Sequence, residues 1–409
     1  MSTYIHRHLE KIVTEGSEAW PAIMVTGMRH SGKTTMLKTL AEKERRGRAY
    51  VSLEDLTVRE QAVSDPKGFL QKYRPPVIID EVQHAPALFT CLKIEIDEHQ
   101  EPGAFWLCGS QLFRLMRNIP ESLAGRVLLL NMTPLSRREA VGADCFPFTP
   151  DVGALTAQAE AVPPLSASRL FECVWRGGLP GLPADPADRH HFFMSLVGAC
   201  IERDVRDIAP GTNVLRFLKF MKSAAARTAR PVNCRAMAEE AGTNLATARQ
   251  WLLILETLGI VFLLHPCSGS ALRGTVRTPK LYFADTGLAC WLLNWPTPEV
   301  AANGSMSGAL LETHAVTEII KNCGNAGIHP FLSFFRDRDG REIELLLERD
   351  GCLHPFAIRK TTHPDSRITR GFRVIDKSPL RRGTGAVLCM TDRLFSLDPD
   401  NLAVPIWLL

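Results

Sequence analysis

The segment Gly27-Met28-Arg29-His30-Ser31-Gly32-Lys33-Thr34 decides the fold of the first third of this chain. It fits the pattern G-x-x-x-x-G-K-[ST], in which a glycine-rich loop joins a buried strand to the start of a helix. An apolar run precedes the loop at 23–26, and a helix-forming run follows it at 35–44. The backbone N–H groups of such a loop and of the helix N-terminus carry partial positive charge, so this segment is predicted to bind phosphate groups.

The residue types in the loop predict a nucleoside triphosphate, ATP, together with Mg²⁺. Lys33 is expected to bridge the β- and γ-phosphates, and the Thr34 hydroxyl is a hard oxygen ligand of the kind that Mg²⁺ prefers. The remaining residues of the predicted nucleotide-binding set are Gly27, Arg29, Gly32 and Thr35.

A second motif follows about fifty residues later, where the apolar run 77–79 ends in Asp80 and Glu81. Asp80 is predicted to hold the magnesium ion with Thr34, and Glu81 to orient and deprotonate an attacking water. Two carboxylates at a strand end are common as a solvated cap. Paired with the phosphate loop, they favour hydrolysis over nucleotide binding alone.

Polar residues near the ends of later runs complete the predicted site. Ser110 or Gln111, after the run 105–108, is placed to sense the γ-phosphate or to position water, and a plain polar turn is an equally good interpretation. Arg126, Arg114 and Arg117 are candidates to stabilise transition-state charge, in this subunit's site or in a neighbour's.

Five short apolar runs, separated mostly by helix-length segments, predict the fold class of this part. Each run has the length of a strand buried on both faces, which indicates an α/β domain with a parallel sheet covered by helices. The runs are 22–26, 49–53, 77–80, 104–108 and 127–130.

Length, charge and composition limit the remaining possibilities. A chain of 409 residues implies two to four domains, and a net charge of +4 does not by itself argue for a nucleic-acid partner. No apolar run approaches the roughly 18 residues of a membrane span, and the first ten residues lack the apolar stretch of a signal peptide. The eleven cysteines lie singly and are interpreted as reduced thiols. We expect a cytoplasmic protein without membrane contact.

Shifts in composition suggest the domain boundaries. The phosphate-binding domain is expected over 1–143, and a Pro-, Ala- and Gly-rich loop or linker over 144–166. A mainly helical region is predicted over 167–298, and a small α/β domain over 299–409.

The helical region contains the order of elements that a winged helix-turn-helix requires. A basic helix is followed by a short helix at 234–241, a turn at Gly242, a longer helix at 245–259 and a strand at 260–264. Asp207 and Glu239 enclose a stretch without any acidic residue. Apolar residues including Leu215 are expected on the buried face of the basic helix.

This arrangement predicts contact with nucleic acid, DNA above all, because basic stripes neutralise phosphates. Charged helix faces are more often only solvated, and winged helices also bind proteins. The predicted contacts are Arg216, Lys219, Lys222, Arg227, Arg230, Asn244 and Arg249.

Taken together, the motifs resemble a family of bacterial and archaeal AAA-type ATPases (AAA_14) that carry a C-terminal domain of unknown function, DUF4143. The phosphate loop, 79–83 and 109–111 are similar to the family's Walker A, Walker B and sensor segments. Similar segments further along the chain are 122–126, 134–136, 202–205, 280–288 and 308–312. The resemblance implies an ASCE-type P-loop core, a helical and winged-helix middle, a C-terminal fold like that of PD-(D/E)XK nucleases, and assembly into a homo-oligomer.

The C-terminal domain lacks part of a nuclease site. Glu312 and Glu344 are the carboxylates that match the nuclease pattern, but the next strand offers Ala357 and Arg359 in place of the expected E-x-K. Alanine cannot ligate a metal, and arginine is a poor proton carrier because its pKa exceeds about 12. The domain is therefore predicted not to cleave nucleic acid.

The combined prediction is a magnesium-dependent AAA-type ATPase that couples hydrolysis to nucleic-acid binding, remodelling or translocation. The alternative is a nucleotide-switched regulatory protein, in which the bound state matters and the middle region binds a protein. An active nuclease is the third and weakest interpretation.

Overall fold

A computed structural model describes residues 4–110, 123–182, 185–209, 211–267 and 276–409. The chain forms two compact units. The first comprises residues 1–135 with 257–259 and 324–327, and the second comprises the rest of the chain. Within the described ranges, no helix combines the length and the apolar character needed to cross a bilayer.

The first unit is built on a parallel sheet of five strands in the order β2-β3-β4-β1-β5. Its strands are β1 (Ala22–Thr26), β2 (Ala49–Ser52), β3 (Val77–Asp80), β4 (Phe105–Cys108) and β5 (Val127–Asn131). All five predicted runs are confirmed as strands. The strand that follows the phosphate loop's helix stands at the edge, and β4 lies between β1 and β3. This order is that of the predicted ASCE-type core.

Helices cover both faces of this sheet. They are α1 (Leu9–Ala19), α2 (Lys33–Lys43), α3 (Leu56–Ser64), α4 (Pro66–Lys72) and α5 (Leu88–His99). Neighbouring residues of one strand point to opposite faces. Ile78 and Trp106 therefore belong to the apolar core on one face. Ile79 and Leu107 belong to the core on the other. Burial on both sides explains why these strands are apolar throughout.

Because the strands are parallel, their carboxyl ends meet at one edge of the sheet. This edge carries the residues that follow β1, β3 and β4, namely Gly27, Glu81 and Gly109. Asp80 is the last residue of β3 and pairs in register with Ser52 of β2 and Cys108 of β4.

The second unit begins with a run of helices, one of which lies within the predicted linker. Its first helices are α6 (Arg137–Val141), α7 (Val152–Ala161), α8 (Ala167–Arg176), α9 (Pro186–Ser195) and α10 (Glu202–Ile208), with a π-helical turn between the last two at Leu196–Ile201. The expectation of a loop throughout 144–166 is wrong, because α7 occupies its middle. Asp151 caps this helix by accepting a hydrogen bond from the N–H of Ala154 at 2.7 Å, and Leu155 is buried. The alanine-rich sequence carries no apolar periodicity that would indicate the helix.

The middle of the second unit follows the predicted order of elements. The elements are α11 (Val214–Ala225), β6 (Arg230–Pro231), α12 (Cys234–Ala241), α13 (Leu245–Thr257), β7 (Val261–Leu264) and β8 (Lys280–Phe283). The strands form an antiparallel sheet in the order β6-β8-β7.

The C-terminal part of the second unit is a mixed sheet with helices. The helices are α14 (Thr286–Leu292), α15 (Pro298–Asn303) and α16 (Ser307–Asn325), and the strands are β9 (Phe331–Arg336), β10 (Glu342–Arg349), β11 (Cys352–Arg359), β12 (Arg381–Arg382), β13 (Gly385–Cys389), β14 (Phe395–Asp398) and β15 (Asn401–Pro405). The main strand order is β14-β15-β13-β11-β10-β9, and β12 pairs with β11. A 3₁₀ helix, Ile368–Lys377, lies between β11 and β12 along the chain.

Candidate active site

The phosphate loop has the backbone geometry that its glycines allow. Gly27 and Gly32 have φ values of 138° and 95°, which side-chain-bearing residues rarely adopt. A Cβ atom at Gly27 would lie 2.1 Å from the carbonyl oxygen of Met132, so the backbone directly after β5 also excludes a side chain there. Gly32 immediately precedes Lys33, the first residue of α2. The loop therefore ends at a helix N-terminus, as predicted.

Lys33 is buried within the loop, where it has only neutral oxygen partners. Its Nζ donates to the carbonyl oxygens of Gly27 at 3.0 Å and Met28 at 2.9 Å. Burial lowers the pKa of the Lys33 ammonium, and Glu81 is the strongest of the nearby groups that oppose this shift. The Ser31 Oγ is buried without a hydrogen-bond partner among the described residues. A desolvated cation and an unused hydroxyl suit the phosphates of a nucleotide.

The Asp80 carboxylate is the most heavily hydrogen-bonded group of the site. Its Oδ2 accepts from the Thr34 hydroxyl at 3.0 Å and from the Tyr50 hydroxyl at 2.9 Å. Its Oδ1 accepts from the Cys108 thiol at 2.7 Å and from the N–H of Glu81 at 3.0 Å. The predicted magnesium ligands Thr34 and Asp80 are thus in direct contact. Both present hard oxygen atoms, so the donor set fits Mg²⁺.

Glu81 adopts a left-handed backbone conformation with φ 54°, an unusual state for a residue with a side chain. Its Oε2 accepts hydrogen bonds from the Ser110 hydroxyl at 3.4 Å and from the Gln83 side-chain amide. The same amide lies 3.5 Å from the Ser110 Oγ. These neutral donors fix the carboxylate beside the loop without neutralising it, which suits a general base.

Other predicted residues of the nucleotide site occupy its margin. Arg29 lies in the loop, with its guanidinium 3.8 Å from the Glu54 carboxylate. Thr35 is exposed in the first turn of α2. Gln111, Arg114 and Arg117 lie outside the described residues.

Arg126 does not belong to this subunit's own site, so that part of the prediction is wrong. It precedes Val127, which pairs with Ala22 at the start of β1, whereas the phosphate loop follows the end of β1. The five residues of β1 separate Arg126 from the start of the phosphate loop by roughly 17 Å along the sheet. The Arg126 guanidinium is paired instead with the Asp97 carboxylate, with Nη2 and Oδ2 3.0 Å apart.

Three residues of the site were missed by sequence reasoning: Tyr50, Gln83 and Cys108. Burial raises the pKa of the Tyr50 hydroxyl and of the Cys108 thiol, and the Asp80 carboxylate raises both further. Both groups therefore remain protonated donors to Asp80. Their roles depend on the register of β2 and β4 against β3, which no local sequence signal reveals.

The predicted nucleic-acid contacts on α11 form an exposed stripe. Arg216, Lys219 and Lys222 are exposed, and Phe217 and Phe220 on the same helix are buried. Leu215, which was expected on the buried face, is 73% exposed. Aromatic residues, not this leucine, attach α11 to the core. Arg230 and Arg249 are also exposed.

Two other predicted contacts are engaged within the protein. The Arg227 guanidinium bonds both oxygens of the Glu240 carboxylate, at 2.6 and 2.9 Å, so its charge is already neutralised. The Asn244 Oδ1 accepts from the N–H of Thr247 at 2.8 Å and caps α13. Arg227 and Asn244 thus have partners within the protein, whereas the α11 stripe, Arg230 and Arg249 are exposed.

The carboxylates of the C-terminal domain are paired with cations. The Lys280 Nζ contacts Glu342 and lies 2.8 Å from the Glu312 Oε1. The Arg359 guanidinium lies 2.5 Å from Glu344. Burial opposes the charge of Lys280, but Glu312 and Glu342 outweigh burial and raise its pKa. These contacts place protein cations at the carboxylates that a nuclease would use for metal ions.

The loop, the adjacent carboxylates and the strand order define a P-loop NTPase fold of the AAA type. Residues 19–141 match the family model of an AAA domain, AAA_14, and residues 307–409 match DUF4143, a domain of unknown function. The chain therefore carries an N-terminal AAA domain and a C-terminal DUF4143 domain, which confirms the resemblance drawn from its motifs. Residues 167–299 match a further domain of unknown function, DUF8612.

Two mycobacterial relatives match most of this chain at low identity. The chain is 25% identical over 391 residues to uncharacterized proteins of Mycobacterium bovis and Mycobacterium tuberculosis, covering 94% of this chain and 80% of theirs. Among solved structures, a Walker-type ATPase of Pyrococcus abyssi is 12% identical with a TM-score of 0.45, covering 71% of this chain and 96% of that one. The Thermotoga maritima RuvB Holliday junction branch migration motor is 16% identical with a TM-score of 0.31, covering 62% and 88%.

We expect Tyr50→Phe to weaken the apparent affinity for Mg²⁺ in nucleotide hydrolysis, because it removes one hydrogen bond to Asp80. A hydrogen bond to a charged group contributes about 1.5–3 kcal/mol, of which the three remaining donors to Asp80 retain part. The half-saturating Mg²⁺ concentration in a turnover assay should therefore rise about threefold to tenfold, with metal-free nucleotide binding unchanged. Tyr73→Phe, on a tyrosine that packs against Phe69 instead, is the matched control. An identical Mg²⁺ titration for Tyr50→Phe would remove this residue from the site.

Proposed function

We propose that this protein is a magnesium-dependent ATPase of the AAA type that couples hydrolysis to engagement of nucleic acid. One observation supports the ATPase most strongly. Lys33, Thr34, Asp80 and Glu81 come from two separate motifs yet lie at one edge of the sheet, with the Thr34 and Asp80 oxygens 3.0 Å apart.

In this proposal, Lys33 and the loop N–H groups bind the β- and γ-phosphates, and Thr34 and Asp80 hold Mg²⁺. When bound, Mg²⁺ supplies positive charge that offsets the negative charge of the reacting phosphates. Glu81 orients a water molecule and accepts its proton as the water oxygen bonds to the γ-phosphorus. The bond from that phosphorus to the bridging oxygen breaks, and ADP departs with its electron pair.

The Glu81 neighbours support this role. Ser110 and Gln83 donate to the same carboxylate oxygen, Oε2, and leave Oε1 for a water molecule. A fixed carboxylate needs less reorganisation when the reaction begins. Ser110 is therefore proposed to act through Glu81 and not directly on phosphate.

We infer that nucleic acid binds the middle region of the second unit. The elements α11, β6, α12, α13, β7 and β8 follow the order of a winged helix-turn-helix, and α13 takes the place of the recognition helix. The exposed cations Arg216, Lys219, Lys222 and Arg249 suit a phosphate backbone. Arg230 adds a fifth exposed cation on β6.

A homo-oligomer is part of the same proposal and comes from the family resemblance. Arg126 lies far from its own subunit's phosphate loop, and its pairing with Asp97 is exposed. A neighbouring subunit's nucleotide is therefore the site at which this arginine is proposed to act.

The ATPase proposal is tested with Lys33→Ala and Glu81→Gln. Lys33→Ala should weaken ATP binding roughly tenfold to a hundredfold, because a charged hydrogen bond contributes about 1.5–3 kcal/mol. Glu81→Gln should keep ATP but lower turnover about 10²- to 10⁴-fold, the usual contribution of a general base. Glu42→Gln, at an exposed position on α2, is the matched control for charge. Unchanged turnover in Glu81→Gln would refute the role of Glu81 as general base.

The same variant tests the proposed homo-oligomer, because it should keep ATP bound. Its sedimentation as a monomer in the presence of ATP would refute the homo-oligomer.

Coupling to nucleic acid is tested by stimulation of turnover with duplex DNA. DNA should raise ATPase activity several-fold, and Arg216→Gln/Lys219→Gln/Lys222→Gln should lose this stimulation while keeping basal turnover. Loss of three phosphate contacts should reduce the slope of log affinity against log salt by about three. Slow, unstimulated turnover with a long-lived nucleotide complex would instead support a nucleotide-switched regulator.

The C-terminal domain is expected to leave DNA uncut. Supercoiled plasmid incubated with Mg²⁺ or Mn²⁺ should remain intact, because Lys280 and Arg359 occupy the carboxylates and Ala357 offers no ligand. Gel electrophoresis of the plasmid measures this. Metal-dependent cleavage that disappears in both Glu344→Ala and Glu344→Gln would show that the domain is an active nuclease.

A further inference from the structure

The 3₁₀ helix Ile368–Lys377 has a sequence period of three. Thr369, Phe372 and Ile375 are its buried residues, and Phe372 and Ile375 belong to the apolar core of the C-terminal sheet. A 3₁₀ helix has 3.0 residues per turn, so side chains three positions apart lie directly above one another. The burial pattern therefore explains why this segment adopts a 3₁₀ helix.

The same period aligns positive charge on the exposed side. We use the name basic ridge for Arg367, Arg370, Arg373, Lys377, Arg381 and Arg382. Asp376 is the one acidic residue of segment 366–383. Arg367, Arg370 and Arg373 follow one another at intervals of three and form a straight row along the helix. This segment lies outside the phosphate loop, the Asp80–Glu81 motif and the winged helix-turn-helix elements.

Part of the basic ridge is neutralised within the protein, and part is not. Arg367 pairs with Asp365 at 2.7 Å. Arg382 pairs with Asp376 at 3.2 Å and with Asp400 at 2.9 Å. Within the part of the chain that the structure describes, the side chains of the other four cations make no ion pair or hydrogen bond. Those four are Arg370, Arg373, Lys377 and Arg381, and all are exposed.

A cleft of about 330 Å³ runs beside the basic ridge, lined in part by Arg370, Arg373 and Arg382. Two aspartates line it as well, but both are already bonded. Asp398 accepts from the Thr369 hydroxyl at 3.2 Å and from the Asn401 amide at 2.7 Å. Asp400 pairs with Arg382. The donors to Asp398 are neutral and leave it without an ion pair among the described residues. The three arginines and two aspartates that line the cleft therefore give it a net formal charge of +1.

We propose that the basic ridge binds the phosphate backbone of nucleic acid. Arg367 and Arg373 lie six residues, or about 12 Å, apart along the 3₁₀ axis. One strand of a duplex presents three or four phosphates over that length, at about 3.4 Å each along the axis. Arginine, which makes up five of the six ridge cations, bonds phosphate oxygens through two parallel N–H donors.

The position of the apolar side chains favours nucleic acid over other anionic partners. A helix that binds a membrane surface exposes apolar residues beside its cations. A protein interface usually has an apolar or aromatic centre. Here Phe372 and Ile375 face the core, and Val374 and Leu380 also pack against it. The basic ridge thus offers charge without exposed apolar area.

This inference rests on the proposed function in its choice of partner, but it requires no ATP hydrolysis. It adds a second contact surface to that of α11, in a domain proposed not to cleave. The DUF4143 domain would then hold nucleic acid through its backbone, independently of sequence.

The experiment measures binding of the full-length protein to a fluorescent DNA duplex by anisotropy, without nucleotide, over a series of salt concentrations. Arg370→Gln/Arg373→Gln should bind more weakly and reduce the slope of log affinity against log salt by about two, at 0.9 per phosphate. The control Arg338→Gln/Arg393→Gln removes the same charge from two other exposed positions, one before β10 and one after β13, and should bind like the unmodified protein. Because all four residues are exposed, thermal unfolding should not change.

A lysine variant of the basic ridge and the triple variant of α11 distinguish failure of this proposal from failure of the proposed function. Arg370→Lys/Arg373→Lys should retain the salt slope, since each lysine still neutralises a phosphate. A normal slope in the Gln variant, together with a reduced slope in the α11 triple variant, would overturn the basic ridge and leave the proposed function standing. Absence of DNA binding by the unmodified protein would overturn both. If the variant Arg370→Gln/Arg373→Gln lost binding to phosphatidylserine vesicles but bound DNA normally, the proposal would be overturned in favour of a membrane site.

Discussion

The nucleotide site depends on how one buried carboxylate is held. Asp80 is 6% exposed, and a buried charge is tolerated only when it is well bonded. Its four hydrogen bonds come from Thr34 in the first turn of α2, Tyr50 on β2, Cys108 on β4 and the adjacent N–H of Glu81. Each donor is neutral, so none of them forms an ion pair with the carboxylate. The same four contacts join the end of the phosphate loop to three neighbouring strands, which fixes the site's geometry as part of the fold.

Two buried lysines show how similar residues serve different purposes. Lys33 bonds carbonyl oxygens, and burial lowers its pKa, so an anion that enters the loop gains from a cation that lacks a direct ionic partner. Lys280 contacts two carboxylates, which raise its pKa. The two carboxylates compensate the burial of the Lys280 charge, whereas the burial of the Lys33 charge is only partly compensated. The phosphate loop is therefore prepared for a ligand, whereas the C-terminal carboxylates already have their cations.

The sequence predicted what depends on local pattern and missed what depends on register. The five strands of the first sheet are short apolar runs, and the phosphate loop has a fixed spacing, so both were visible. Tyr50 and Cys108 lie 30 residues before and 28 residues after Asp80, and only strand pairing brings them to it. Arg126 was misplaced because a strand's first and last residues look alike in sequence while lying at opposite ends of the sheet. The ion pair of Arg227 was not visible in the sequence because its partner Glu240 stands on the next helix.

The two basic surfaces of the second unit differ in shape because their helices differ in the number of residues per turn. On α11, cations at intervals of three turn by about 60° at each step, since an α-helix advances 100° per residue. Arg216, Lys219 and Lys222 therefore spread over about 120° of the helix surface and form a curved stripe. On the 3₁₀ helix the same interval is one full turn, so Arg367, Arg370 and Arg373 form a straight row. A straight row keeps several cations on one phosphate strand, whereas a curved stripe suits a helix that crosses the backbone. The same sequence spacing thus predicts two different ways of contacting a polyanion, and only the helix type distinguishes them.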